Sequence, residues 1–141
     1  MPRLRPDHDD LIGGVLRAWL PDGATVAAAR SNDWASRMPY VSARDIGATG
    51  GPDVRNRTTA EFDWQVWAGS RREASDLEDA CLAAALHAWR VGLVVAGAGI
   101  ARITDVRYGA ELRTVDQPDG VWRWQGGVTA VIRPVVVAAA P

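Results

Sequence analysis

Few side chains in this sequence have the types and spacing that chemistry needs. Val94-Val-Ala-Gly-Ala-Gly-Ile-Ala-Arg102 has the opening of a dinucleotide-binding fingerprint, and Asp119 follows about twenty residues after Gly99. Arg102 holds the third glycine position, and the β-prone residues after it offer no helix N-terminus to a pyrophosphate. Ser70, in Ala-Gly-Ser-Arg-Arg, lacks the second glycine of a nucleophile elbow. His8 and His87 fall in different elements without metal-ligand spacing, and no carboxylate lies four residues to either side of His87. Asp7, His8, Asp9 and Asp10 are consecutive, so at a helix start they point in different directions; the helix dipole accounts for them better than a metal does. Catalytic residues, metals and cofactors are therefore not expected.

A second group could recognise rather than react. Arg55 and Arg57, with Arg102, Arg107, Arg113 and Arg123, could line a surface for phosphates or carboxylates, or could be solvated strand and loop residues. Trp122 and Trp124 beside Arg123 have the make-up of a base-stacking surface for single strands. A net charge of -1 gives no overall attraction to a polyanion, which favours core or subunit contact. Seven tryptophans against one phenylalanine fit that reading, since tryptophan is favoured in protein contacts. Arg55, Arg57, Arg113, Trp122, Arg123 and Trp124 are thus the candidate interface residues.

These residues hang on a central stretch from Arg57 to Val91. Ala60, Phe62, Trp64 and Val66 alternate with Glu61, Asp63 and Gln65, the period of a half-buried strand, and Trp67 breaks the polar row. Ser70-Arg-Arg-Glu73 has capping-box spacing and predicts a helix start. Leu77, Ala80, Cys81, Ala84, Ala85 and Ala88 then form a stripe of mostly small side chains suited to close packing on a sheet. Leu82, Leu86 and Trp89 widen it, whereas Arg71, Arg72, Glu73, Asp76 and Asp79 keep the first turns wet. The single cysteine, Cys81, reads as a buried thiol.

Before this stretch, Leu11, Ile12, Val15, Leu16, Trp19 and Leu20 space out as a short amphipathic helix ended by Pro21-Asp-Gly23. Strands are expected at 24–30 and 39–46, with Trp34 capping the core edge between them. Residues 47–58 read as a long exposed hairpin connection. After the helix, a glycine-rich return precedes a strand over 100–108, a second long loop over 109–120 and a last strand over 122–133. Trp122, Trp124, Val128, Ala130 and Ile132 share one parity of that strand, and Gly126-Gly127 suggests a bulge or bend. The flanking strands read as shorter than the central one, and 134–141 as an extended tail.

The 141 residues are most simply one α+β domain, in the order α-β-β-β-α-β-β: about five mainly antiparallel strands, a short N-terminal helix, and one long helix on one face. Hydrophobic residues make up 48% and charged residues 23%, a globular composition. The longest apolar run is about half a membrane span, and no secretory signal is visible, so a soluble intracellular protein is expected.

The order and spacing of these segments resemble the tail terminator (tail completion) proteins of long-tailed bacteriophages and phage-like particles. The resemblance rests on Pro39-Tyr-Val-Ser-Ala-Arg-Asp-Ile-Gly47, Arg57 to Trp67, Ala68-Gly-Ser-Arg-Arg-Glu-Ala-Ser-Asp-Leu77, the long helix and the closing strand Trp122 to Arg133. It spans nearly the whole chain, although the glycine-rich return at 93–99 and the Trp-Arg-Trp segment are not family hallmarks. It implies a non-enzymatic virion protein of the tail or neck, assembled in the host cytoplasm. Such a protein forms a hexameric ring on the last tail-tube ring, stops tube growth, and presents a docking surface to the head-tail connector or head-closure protein. DNA would traverse the ring lumen without sequence-specific binding, and no membrane is involved. The 47–58 and 109–120 loops, with the six candidate residues, are then expected at subunit or ring-ring contacts. The alternatives are another neck component, such as a head-closure protein, and a small α+β ligand-binding module or enzyme.

Overall fold

The computed structural model describes residues 8–47, 58–90, 100–112 and 120–133. In chain order the elements are α1 (His8–Trp19), β1 (Thr25–Ala27), one turn of 3-10 helix (Trp34–Arg37), β2 (Tyr40–Asp45), β3 (Thr58–Ala68), α2 (Arg71–Arg90), β4 (Ile100–Glu111) and β5 (Trp122–Arg133). The strands form one sheet in the order β1-β2-β3-β5-β4. Among the described residues, β1 and β2 alone pair in parallel, and the other three pairings are antiparallel. The class and element order agree with the sequence reading.

Alternation along β3 sets the two faces of the sheet. Ala60, Phe62, Trp64, Val66 and Ala68 are buried beneath the helices, and the register places Val128, Ala130 and Ile132 of β5 on the same side. Burying a side chain such as Phe62 contributes about 1.5–3 kcal/mol. Onto this layer α1 lays Leu11, Ile12, Val15 and Leu16, and α2 lays Ala74, Cys81, Ala84, Ala85 and Ala88. The four alanines and the cysteine let α2 approach the strands closely, with Leu77 and Leu82 buried in the same cluster.

The helix starts follow local chemistry. The Glu73 amide donates to Ser70 Oγ at 3.1 Å, the hydrogen bond that the capping-box spacing predicts. At α1, the Asp9 carboxylate lies in the first turn and also accepts the Asp45 amide at 2.8 Å, tying the helix start to the end of β2.

Three expectations are corrected. β4 does not stop at Tyr108: pairing continues through Ala110↔Gln125 and Glu111↔Trp124, and a bulge between Arg107 and Ala110 takes up the extra residue. The loop expected over 109–120 is therefore shorter, and its residues 113–119 lie outside the described ones, as do 48–57 of the earlier connection and the 134–141 tail. Gly126-Gly127 makes no bulge against β3, because pairing runs unbroken from Thr58↔Ile132 to Ala68↔Trp122. The irregularities sit in β4, between Ile103 and Asp105 and between Arg107 and Ala110. Finally, β4 and β5 each span 12 residues against 11 for β3, so the strands after α2 are not shorter than the central one, whereas β1 (3 residues) and β2 (6 residues) are.

Candidate functional site

The face of the sheet opposite the helices is polar and closed upon itself. Registry places Tyr40, Ser42 and Arg44 of β2 beside Trp67, Gln65 and Asp63 of β3, and these beside Arg123, Gln125 and Gly127 of β5. The Arg123 guanidinium donates to Gln65 Oε1, and Gln125 Nε2 donates to Asp63 Oδ1 at 2.9 Å. From β4, Arg107 donates to the Phe62 carbonyl and to Thr129 Oγ1 (3.3 Å), and lies 3.6 Å from Glu61. Apart from Arg123 Nε, which is buried and makes no hydrogen bond, these donors and acceptors pair across neighbouring strands, giving a cross-strand ladder rather than an open reactive cluster.

At one end the ladder meets an aromatic corner. The Trp67 ring lies 6.1 Å from Tyr40, edge to face, and 6.1 Å from Trp34. Arg30 stacks over both Trp34 (4.7 Å) and Trp67 (5.3 Å), and Arg123 lies 5.2 Å from Trp67. Each such contact is worth roughly 0.5–1 kcal/mol at a surface. Tyr40 donates its hydroxyl to the Ala29 carbonyl at 2.9 Å and accepts the Ser31 amide at 3.2 Å, which fixes the segment that carries Arg30 and Trp34. Trp34 therefore covers the edge of the fold, and Trp67, 4% exposed, breaks the polar row because this corner encloses it.

Strand alternation separates Trp122, Arg123 and Trp124. Trp124, 9% exposed, belongs to the helix-covered core with Arg71 5.2 Å from its ring, and Trp122 packs half-buried against the same cluster. Arg123 points to the opposite face. The three do not form one stacking surface. Arg55, Arg57 and Arg113 lie outside the described residues, as do Asp7, residues 94–99 of the glycine-rich stretch, and Asp119.

The sequence reading missed Glu78. This α2 carboxylate is 2% exposed and accepts Trp64 Nε1–H at 3.0 Å. It occupies a notch made by two glycines: a β-carbon on Gly126 would overlap Oε1, and one on Gly109 would overlap Oε2. Burial pushes the carboxyl up from its ordinary value, opposed by the Trp64 hydrogen bond, and the charge of Asp79 adds to the rise. The available signal was its place on the small-residue stripe, four residues after Ala74 and three before Cys81. Among the described residues, no second titratable side chain hydrogen-bonds to it to complete an acid-base pair. Cys81 beside it is buried, and desolvation pushes its thiol up, aided by Glu78, which makes it a poor nucleophile.

Two further features complete the surface. His87 sits edge-on against Trp19 with ring centres 4.2 Å apart. An open groove of about 520 Å³ lies where the start of α2 faces the segments leading into β1 and β2. Among the described residues no three His, Cys, Asp or Glu side chains cluster as metal ligands, and no helix is long and apolar enough to cross a membrane.

No protein-family model matches the chain, and no curated protein is significantly similar to it.

Proposed function

We propose that this protein is a structural component of a phage tail or tail-like particle, a tail terminator that forms a ring on the last tail-tube ring and ends tube growth. The observation that carries the reading is the division of labour between the two faces of the sheet. One face is filled by the chain's own helices, and the other is a ladder of polar groups paired across strands. Such a molecule acts through surfaces and loops rather than through a reactive cleft. The segments that carry the resemblance fall on β2, β3, α2 and β5, in the order it requires, which adds support. In this role the protein forms a hexamer, its partners are the tail tube protein and the head-tail connector, and it performs no bond chemistry.

The test is assembly itself. Purified protein added to growing tail tubes is expected to fix their length, and particles lacking the gene are expected to carry overlong tails by electron microscopy. Tubes that grow on unchanged in its presence would overturn the reading. Leaking heads beside detached tails of normal length would instead identify a head-closure protein.

A further inference from the structure

The aromatic corner holds a cation whose hydrogen-bond donors the fold leaves unused. Arg30 is exposed, and its guanidinium lies over Trp34 at 4.7 Å and over Trp67 at 5.3 Å. Among the described residues, no carboxylate, carbonyl or hydroxyl accepts a hydrogen bond from it. Contact with ring faces draws on the charge of a guanidinium and leaves its planar fork of N–H donors available. The surroundings are held in place. Tyr40 bonds the residues on either side of Arg30, through the Ala29 carbonyl and the Ser31 amide. Arg37, 5.9 Å from the Tyr40 ring, is tied through its own carbonyl to Thr25 Oγ1 at 3.0 Å. Asp33, the one acid between Ala28 and Met38, is committed elsewhere: it accepts the Ser31 hydroxyl at 2.6 Å and lies 3.8 Å from Arg37.

We infer that this corner docks an acidic peptide segment of a partner protein, with Arg30 receiving an Asp or Glu carboxylate on its open N–H edge. A carboxylate matches the guanidinium fork with two parallel hydrogen bonds, and a guanidinium already held by two indoles loses less freedom on forming them. Half-buried Trp34 supplies apolar area beside the charge, and tryptophan and arginine are the residues that carry most energy at protein contacts. A nucleic-acid strand fits worse. Bases stack on open ring faces, whereas Trp67 is 4% exposed and Arg30 lies over the Trp34 ring. Asp33 beside them repels an unbroken run of phosphates but leaves room for separate carboxylates. The inference goes beyond the terminator reading and does not rest on it.

The test titrates the full chain with a dye-labelled peptide of alternating glutamate and serine, the same peptide with glutamine for glutamate, and an oligothymidylate, each followed by fluorescence anisotropy. Saturable binding of the glutamate peptide alone is expected, and it weakens as salt is raised. Arg30→Gln is expected to weaken it about tenfold or more, with Arg30→Lys intermediate. Arg72→Gln removes an equal charge from the start of α2 and is expected to leave binding unchanged. In the native protein, bound peptide is expected to shield Arg30 from an arginine-specific dicarbonyl reagent, read by mass spectrometry, a measurement that needs no variant to fold. Absence of glutamate-peptide binding, equal binding by Arg30→Gln, or tighter binding of the oligothymidylate overturns the inference. A lowered urea midpoint of Arg30→Gln with binding unchanged also overturns it, and makes the corner a brace for its loop.

Discussion

Trp64 Nε1 donates its proton to Glu78 Oε1 at 3.0 Å within the layer where α2 meets the sheet. Both residues are buried, and the bond joins the helix to the strand at the centre of the fold. Glu78 is held in the protonated form more tightly here than in an unfolded chain, because burial penalises its charge.

The sign of the resulting pH dependence follows. With the folded-state value raised, the folded protein binds the proton more strongly, so this group's contribution is fully present below the unfolded carboxylate range. It is lost as pH rises from about pH 4 through the folded-state value. Glu78→Gln keeps an oxygen for Trp64 and has no proton to lose. Its urea midpoint is expected to decline less over that rise than the native protein's, and to exceed it at neutral pH. Parallel pH profiles would refute this.

The glycine notch gives a coupling prediction. Gly126→Ala is expected to cost about 1–3 kcal/mol, because the new methyl meets Glu78 and Trp64. Glu78→Ala leaves the Trp64 N–H without its acceptor, for about 1–3 kcal/mol. The double variant is expected to lose less than the sum, since the methyl then occupies the vacated space. Gly127→Ala should be worse than Gly126→Ala, because its β-carbon collides with the Phe62 carbonyl oxygen, a backbone atom of the central strand. Urea unfolding of the four variants measures all of this.

Ser70 sets where α2 begins. Ser70→Ala is expected to lower stability by about 1 kcal/mol by leaving the Glu73 amide uncapped, whereas Ser70→Asp retains most of it. Equal midpoints for the two variants would argue against the cap.

Cys81 offers a readout of opening. Its burial and raised thiol value predict that a disulfide reagent modifies the native protein only at the rate at which the fold opens, and modifies it at once in denaturant. Rapid labelling without denaturant would show that α2 does not stay closed on the sheet.

Local pattern was enough for much of this architecture. The parity of β3, the small-residue stripe of α2 and the Ser70 cap are each written within a few neighbouring residues, and each was legible in the sequence. Glu78 was not, because its burial depends on the registry between α2 and three strands distant in sequence. Gly126 and Gly127 read as a bend for the same reason: the need for space comes from Glu78, Phe62 and Arg107, contributed by other elements. Trp67 looked like a fault in the polar row until the fold brought Trp34, Tyr40 and Arg30 around it. The separation of Arg123 from Trp122 and Trp124 follows from alternation alone, and the sequence reading of β5 already placed them on opposite parities.

The two bulges of β4 have a consequence for crowding. Each adds a residue that its partner does not match, so the outermost strand never presents a long straight row of free amides and carbonyls to a newcomer. Template-driven zipping of strand onto strand, the route to fibrils, is thereby blunted.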